Sequence, residues 1–391
     1  MDLISEMDPL SVKHIEKGKN QVIVVFVLGL MTVLSSLIAL GLGSSENLDM
    51  GSVWKIIIFD IYDSVMNIDK VFANLWYNLS GCFSSSCNGR SLMHGIDREG
   101  TALQNSVIYD WRLPRVLTAI VGGTALAVAG SLMQGCLGNP LVSPLTLGVA
   151  SGAALGAALA IVLGFTILSV PSLAIVANSF IFSLLVVSLI IQLGKFRSIS
   201  AESYILVGIA ITFICGAIVS TMQYFASDAQ LSALAHWSFG SLARPNKSNL
   251  IFISLVLIAV LPTAIRWSWD LNTLSLAGDE FAISSGVDPV KLRKNILMVS
   301  ALMTSIIIAF TGLIGFVGLA APHMSRLIVG NDYRKLIPCS AIFGSFLMIF
   351  ADTLGRTLFA PVVIPVGVML SIIGGPFFMY LLLKRGVSTS R

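Results

Sequence analysis

VIVVFVLGLMTVLSSLIALGL, residues 22–42, is an unbroken apolar stretch that follows Lys13, Lys17 and Lys19. A transmembrane helix needs about 20 predominantly apolar residues, so this stretch is long enough to cross a bilayer. A secretory signal peptide is the alternative, but its apolar core is usually shorter and a small-residue cleavage site follows it. No such site follows residue 42. We therefore predict a cytoplasmic segment at 1–20 and a retained first helix.

The composition of the chain agrees with a membrane location. Of its 391 residues, 55% are hydrophobic and 11% are charged, and the mean hydropathy is +0.89. Soluble domains carry about a quarter charged residues, and disordered chains combine low hydrophobicity with high charge. The net charge is only +4, whereas a nucleic-acid-binding protein needs a strongly basic surface. The composition thus excludes these three classes.

The remaining apolar runs predict an all-α, polytopic membrane protein with about ten transmembrane helices. A membrane β-strand has about 10 residues of alternating polarity, whereas these runs are longer and unbroken. They lie at 113–135, 144–165, 172–193, 203–226, 249–267, 295–314, 316–329, 336–358 and 365–383. The run at 316–329 is short for a full crossing. We predict one membrane domain over 21–391, with an enlarged outer segment at 44–111 and an inner loop at 268–294.

The basic residues orient the chain in the membrane. Short cytoplasmic loops carry an excess of lysine and arginine. If the N-terminus is cytoplasmic, the basic clusters at 291–294, 334–335 and 384–385 all fall on the same inner side. We therefore predict a multi-pass protein of the cell (inner or plasma) membrane with both termini in the cytoplasm.

A faint internal repeat is present. GSLMQGCLGNPL begins at Gly130 with Pro140 ten residues later, and GLIGFVGLAAPH begins at Gly312 with Pro322 ten residues later. The two units start five predicted spans apart. An odd offset places the copies in opposite orientations, which is the construction of an inverted-repeat transporter.

Motifs for catalysis and nucleotide binding are missing from the sequence. It contains no G-x-x-x-x-G-K-[ST] phosphate loop and no H-E-x-x-H, and its four histidines are scattered. We therefore predict that the chain is not an enzyme and holds no metal or cofactor of its own.

The segment AGDEFAISSGVDPVKLRK at 277–294 lies between two apolar runs on the predicted cytoplasmic side. Asp279 and Glu280 fall in the first turn of a short predicted helix that Gly286 can end. Asp288 can cap a second short helix that starts at Pro289. Two such helices would form a rigid knob for the groove of a partner. An ordinary polar loop is the alternative.

Ionisable residues lie close to two of the predicted spans. Asp110, Arg112 and Arg115 stand at the entry to the second span, and Asp352 and Arg356 share a helix face at i and i+4. Ionisable groups within a membrane span are costly, so a functional role is the first hypothesis for them. A structural ion pair near the outer headgroups is the alternative. The small residues at 122–131 and 148–160 predict either tight helix packing or a smooth pathway wall.

The sequence resembles the FecCD-type permeases, the membrane subunits of ATP-driven importers for ferric siderophores, haem and cobalamin. The motifs in common, over roughly 110–385, are RLPR at 112–115, QGCLGNPLVSPLTLGVASGA at 134–153, HWSFGSL at 236–242, LAGDEFAISSGVD at 276–288, TGLIGFVGLAAPHMSRLIVGND at 311–332, ADTLGRTLFAPVVIPVG at 351–367 and GGPFFMYLLLKR at 374–385.

The resemblance implies a BtuC-like subunit of a type II ABC importer. It would pair with a second permease copy, as a homodimer, and form the translocation pathway for a metal chelate such as ferric siderophore, haem or cobalamin. Two separate ATP-binding subunits would hold ATP and Mg, and an extracytoplasmic solute-binding protein would dock outside. The alternatives are an ion-gradient-driven secondary transporter, which should carry several mid-membrane acidic residues where only Asp352 comes near, and an intramembrane enzyme.

The resemblance also assigns roles to residues. The residues implied to couple to the ATPases are Gly278, Asp279, Glu280, Ala282, Gly286, Val287 and Asp288. The residues implied to receive acidic side chains of the binding protein are Arg112, Arg115 and Arg356. The pathway or signature residues are Asn139, Pro140, Gly148, Gly152, Gly315, Gly318, Pro322, His323 and Asp352. We expect His323 to be a helix-start residue and not a ligand.

The outer segment before RLPR is longer than in the family, with extra residues around 75–105. Cys82 and Cys87 lie there, on the oxidising side. They are predicted either to form a small disulfide loop or to stay free thiols, because short-range geometry can forbid the bond. Cys136, Cys215 and Cys339 are expected to act as small apolar residues.

Overall fold

The computed structural model describes residues 9–43, 48–66, 100–168, 170–194 and 201–388, and these contain helices and turns but no β-strand. In chain order the helices are α1 (Pro9–Gly41), α2 (Met50–Met66), α3 (Ala102–Cys136, with a π-helical segment at Val107–Arg112), α4 (Val149–Val162), α5 (Pro171–Gly194), α6 (Ala201–Phe225), α7 (Asp228–Ser238), α8 (Lys247–Arg266), α9 (Ser268–Ser284), α10 (Pro289–Thr311), α11 (Val317–Val329), α12 (Tyr333–Thr357) and α13 (Val366–Ser388). The all-α prediction is confirmed.

Each predicted apolar run falls on a helix. Seven helices in the described residues are long and apolar enough to cross a membrane, namely α1, α3, α5, α6, α8, α10 and α12. Helix α4 and the first part of α13 are shorter apolar helices. Helix α11 has 13 residues, about 20 Å at 1.5 Å per residue. It is therefore shorter than the hydrocarbon core of about 30 Å, in agreement with the short run at 316–329.

Helices α2, α7 and α9 lie outside the predicted spans. Helix α7 has a sequence signal that the apolar pattern does not show. Ser227 accepts a hydrogen bond from the Gln230 backbone N–H, and the Gln230 side chain accepts one from the Ser227 N–H. This S-x-x-Q capping box marks a helix start. The same device at Thr101 and Gln104 starts α3 eleven positions before Leu113, where the apolar run begins.

Helix α3 lies at the centre of the bundle and packs against α10, α11 and α12. Small residues allow the closest of these approaches. A Cβ atom on Gly130 of α3 would collide with the carbonyl oxygen of Gly318 in α11, and one on Gly123 would collide with that of Gly344 in α12. Because membrane helices pack tightly where small residues face each other, the tight-packing interpretation of 122–131 is confirmed.

The same holds for the second small-residue stretch, which forms α4. A Cβ on Gly152 would lie 2.8 Å from the carbonyl oxygen of Phe182 in α5, and one on Gly156 would collide with that of Asn178. Gly152 and Gly156 thus form a small-residue contact between α4 and α5. Further along the surface, α6 is exposed and apolar, with Phe213 74% exposed and Leu206 66% exposed.

Helix α2 is anchored on the first turns of α3. Buried Val53 and Ile56 of α2 pack with Leu48 and Ile108. The Tyr109 hydroxyl donates a hydrogen bond of 2.5 Å to the buried Asp60 carboxylate. The opposite face of α2 is exposed and largely apolar, with Ile58 62% exposed and Ile61 57% exposed. Cys82 and Cys87, predicted either to form a disulfide or to stay free thiols, lie outside the described residues.

The proposed repeat units begin on comparable helices but differ in local structure. Both α10 and the α-helical part of α3 have proline at their first or second position. Gly130 then lies inside α3, whereas Gly312 follows α10 in a turn with a φ of +81°. Pro140 is in a turn and Pro322 is inside α11.

Candidate functional site

Helix α9 and the turn after it form the candidate coupling surface. Gly278 has a φ of +81° and interrupts the regular backbone of α9. Gly286 has a φ of +83° and follows the helix, where its N–H donates to Ile283 O and the Val287 N–H donates to Ala282 O, at 3.0 and 2.9 Å. This pairing is typical of a Schellman C-cap, for which glycine has no Cβ penalty. Gly286 thus ends the helix as predicted. The prediction that Asp279 and Glu280 lie in the first turn of a short helix is wrong, because α9 already begins at Ser268.

The next helix also starts where the sequence predicts. Asp288 accepts hydrogen bonds from the N–H groups of Val290 and Lys291, both at 3.0 Å, and Pro289 occupies the first helical position. The prediction of a second short helix is wrong, however, because Pro289 begins the spanning helix α10. No breaker occurs before Gly312, so the polar start and the apolar run form one helix.

The predicted coupling residues differ in how far they are exposed. Glu280 and Asp288 are exposed, Ala282 is buried, and Val287 is half-buried. Exposed apolar side chains accompany them: Leu276 is 77% exposed and Ile283 is 63% exposed. Exposed apolar side chains beside the ends of the spanning helices make this surface a candidate for a protein contact.

Asp279 turns inward, towards the bundle. Its carboxylate pairs with Arg293 of α10 through both oxygens, at 2.5 and 2.7 Å. Arg293 is 5% exposed, and its Nε donates to the Cys136 carbonyl at the end of α3, at 2.8 Å. Sequence reasoning missed Arg293 because it stands in KLRK at 291–294, where the neighbouring lysines are exposed.

A second contact holds the first half of α9 to the bundle. The Asn272 amide donates to Asp332 Oδ1 at 2.7 Å and accepts from the Tyr333 N–H at 2.8 Å. Asp332 also caps α12 and pairs with Arg334. The Arg334 hydrogen bond, followed by the one from Asn272, lowers the pKa of Asp332 from 3.8 to about 2, against the opposing effect of burial.

Strong acid is expected to weaken this anchor. Because the pKa of Asp332 is lower in the folded protein, its stabilisation is complete above about pH 4 and is lost as the pH falls towards about 2. The carboxylate is partly exposed, at 27%, so water screens it and the effect stays below about 1 kcal/mol. The unfolding midpoints of the wild type and Asp332→Asn should converge on acidification. A gap that persists at the lowest pH would contradict the assignment.

The three arginines assigned to docking form a cluster at the opposite end of the bundle. Arg115 pairs with Asp352 through both carboxylate oxygens, at 2.8 to 3.0 Å. The Nε of Arg356 lies 3.1 Å from Asp352 Oδ2, an ion pair without hydrogen-bond alignment. Asp352 is 2% exposed and so is neutralised by two cations inside the protein. Its structural role is the alternative that the sequence left open.

Arg112 and Arg356 bind the end of α1. Arg112 donates to the carbonyls of Leu40 and Gly41 at 3.1 and 3.0 Å, and Arg356 to those of Ala39 and Leu42 at 3.1 and 3.0 Å. The last four carbonyls of a helix have no intrahelical partner, and the helix dipole favours a cation there. Both arginines are 5% exposed. Both arginines therefore cap the end of α1, and their role in docking stays a prediction.

The signature residues fall into several different environments. Gly148 has a φ of +82° and precedes α4, and the Asn139 side chain accepts a hydrogen bond from Leu141 N–H in the turn after α3. His323 is 5% exposed in the interior of α11. The prediction of a helix-start residue is wrong, because α11 already begins at Val317, straight after Phe316.

Two further residues organise the turn between α10 and α11. Arg244 donates to the carbonyls of Thr311 at 2.8 Å, Trp237 at 3.2 Å and His236, and so joins the ends of α7 and α10. Burial lowers the pKa of its guanidinium. Phe316 adopts a φ of +71°, and its ring fills the space beside Gly374 of α13. Neither residue has a signal in its sequence spacing.

A shallow groove lies between α4, α6 and the turn after α10. Its volume is about 320 Å³, and its lining residues are mostly small and all uncharged: Ala150, Ser151, Ala154, Thr212, Cys215, Gly216, Val219, Ser220 and Leu313. No group of three or more His, Cys, Asp or Glu that could hold a metal ion occurs in the described part of the chain. Cys136, Cys215 and Cys339 are buried and free, in agreement with a role as small apolar residues.

Comparisons with known proteins agree with this architecture. The sequence profile of the FecCD transport family matches residues 31–384. The chain is 39% identical to the hemin transport system permease HmuU of Yersinia pestis over 73% of its own length and 86% of that protein. It is 33% identical to the vitamin B12 import permease BtuC of Vibrio vulnificus over 73% and 85% of the two lengths. A solved structure described as an inward-facing metal-chelate type ABC transporter superposes with a TM-score of 0.72 and 29% identity, covering 92% of this chain and 99% of that one. The chain belongs to the FecCD transport family.

Proposed function

We propose that this chain is the permease subunit of an ABC importer that carries a metal chelate, such as ferric siderophore, haem or cobalamin, into the cell. It would work with two ATP-binding subunits on the cytoplasmic side and a solute-binding protein outside. The exposed surface of α9 carries this proposal, because an apolar patch beside a rigid, doubly anchored helix suits a partner that moves it. HmuU and BtuC, which transport hemin and vitamin B12, support the class of cargo.

A second copy of the chain would complete the translocation pathway. The exposed apolar face of α6 and the uncharged groove beside it support this arrangement. A groove of about 320 Å³ is at the lower limit of ligand pockets, which span about 300–1,000 Å³. A wall of small residues without charged ligands would hold a large chelate weakly and let it pass, while affinity resides in the binding protein.

The alternative, a secondary transporter driven by an ion gradient, has less support. Such a transporter needs a carboxylate in the membrane that binds and releases an ion. Asp352 is the buried carboxylate nearest to that role, yet two arginines contact it. A carboxylate already paired with two cations would bind a third only at a large electrostatic cost.

Binding of the ATP-binding subunits tests the coupling assignment. Changing Ile283→Asp places a charge in the exposed apolar patch of α9, and we expect at least a tenfold loss of affinity because centrally buried apolar contacts dominate interfaces. Asn331→Asp adds the same charge at an exposed position of the same end and should leave affinity unchanged. Affinity should be measured with the purified cognate subunits. Equal affinity of Ile283→Asp and the wild type would contradict the assignment.

A further inference from the structure

The contact between Arg293 and Asp279 joins three parts of the protein at one guanidinium. Both terminal nitrogens of Arg293 bind the Asp279 carboxylate, and the Nε binds the Cys136 carbonyl. Arg293 belongs to α10, Asp279 to α9, and Cys136 is the last residue of α3. Bidentate arginine–carboxylate pairs fix orientation as well as distance. The pair therefore sets the angle of the α9 end against two spanning helices.

The part of α9 that this pair holds is mostly exposed. Gly278 and Gly286, both with positive φ, bound the stretch 279–285, and a Cβ on either glycine would meet no atom within 4 Å. Within the stretch Ala282 is buried, whereas Phe281 and Ile283 are exposed. On the other side of Gly278, the Asn272–Asp332 contact fixes the first half of α9 to α12. Without Arg293, the stretch would lose its charged contact with α10 and α3 and would be held by the buried Ala282 and by its own helix backbone.

We infer that Arg293 is a positioning residue for coupling, which ties stretch 279–285 to α10 and α3 so that a push from an ATP-binding subunit reaches both spanning helices. This inference rests on the proposed function. It also changes the role of Asp279, which acts inside the subunit as the partner of Arg293. Contact with the ATP-binding subunit then falls to the exposed side chains of the same stretch.

Lysine cannot replace Arg293 in this geometry. An ammonium group is a compact charge and cannot present two parallel N–H groups to a carboxylate and a third to a carbonyl. Arg293→Lys thus keeps the charge while removing the orientation. Asp279→Asn keeps the shape and removes the charge. Lys294→Met, at the next position and exposed, removes a positive charge outside the contact and serves as the control.

The experiment compares the wild type, Arg293→Lys, Asp279→Asn and Lys294→Met in vesicles with the cognate ATP-binding subunits and binding protein. Two quantities are measured in each: ATP hydrolysis, and cargo molecules imported per ATP hydrolysed. We expect all four complexes to assemble and hydrolyse ATP, and the import per ATP to fall at least fivefold in Arg293→Lys and Asp279→Asn only. Amide hydrogen exchange over 279–285 should accelerate in the same two variants.

The outcomes separate this inference from the proposed function. If the wild type neither binds the ATP-binding subunits nor imports cargo, the proposed function fails. If the wild type imports cargo while Arg293→Lys and Asp279→Asn import as much per ATP, the positioning role is wrong. If these two variants lose binding to the ATP-binding subunits, Asp279 acts at the partner surface, and the inference is overturned in favour of direct contact.

Discussion

Changing Gly130→Ala is expected to lower the stability of the protein by about 3 kcal/mol or more, since inserting atoms into a packed core forces backbone shifts. The new Cβ would collide with the Gly318 carbonyl oxygen, which is backbone and cannot rotate away. Helices α3 and α11 would have to separate, and α3 packs against most of the central helices. The measurement is the thermal unfolding midpoint of the purified protein in detergent.

Gly29→Ala provides the matched control. Gly29 lies in α1, and a Cβ there would meet no atom within 4 Å. Alanine favours a helix over glycine by about 1 kcal/mol, so this variant should be as stable as the wild type or slightly more stable. If Gly130→Ala unfolded at the wild-type midpoint, α3 and α11 would not approach as closely as the structure shows.

The fold was predictable because a segment that crosses a lipid bilayer must be apolar in composition. Long apolar runs must form helices in a bilayer, where every backbone polar group needs an internal partner. Each run, from 22–42 to 365–383, therefore falls on a helix. Helix α7 was not predicted because it is short and polar, and the length of an apolar run therefore carries no information about it. Only the capping pattern at Ser227 and Gln230 marks its start.

The candidate site was predictable in its backbone but not in its side-chain pairing. Gly286, Asp288 and Pro289 act on neighbouring residues, and local rules therefore identify them. The partners of Asp279 lie 14 positions away at Arg293 and, through Arg293, at Cys136, 157 positions from that arginine. Such contacts depend on how the helices pack, which a single sequence does not state. The same limit explains why the sequence does not reveal that Arg112 and Arg356 cap the end of α1.

Helix α3 links the coupling surface at one end of the bundle to the arginine cluster at the opposite end. Its start carries Arg112 and Arg115, which contact α1 and α12, and its end carries the Cys136 carbonyl, which contacts Arg293. Close packing at Gly123 and Gly130 leaves α3 little room to move independently of α11 and α12. A displacement of α9 is therefore expected to move α3, α11 and α12 together, which a gate between two membrane faces requires.

Changing Arg356→Met is expected to cost about 3 kcal/mol or more, because each buried acceptor that is left without a donor costs about 1–3 kcal/mol. Asp352 would retain Arg115 as its cation, but the carbonyls of Ala39 and Leu42 at the end of α1 would lose their donor. Methionine fills a similar volume, so the loss should reflect charge and hydrogen bonding and not a cavity. The unfolding midpoint should fall, and proteolysis should reach the end of α1 first.

Lys247→Met is the control at the same end. Lys247 pairs with Asp110 at 2.6 Å, but the two side chains are 38% and 53% exposed, and exposed pairs contribute about 0–1 kcal/mol. This variant should unfold close to the wild-type midpoint. The result also separates the two roles of Arg356. If Arg356→Met kept full stability and lost only affinity for the binding protein, the docking role would hold and the capping role would be wrong. A loss of stability with unchanged docking affinity would establish the reverse.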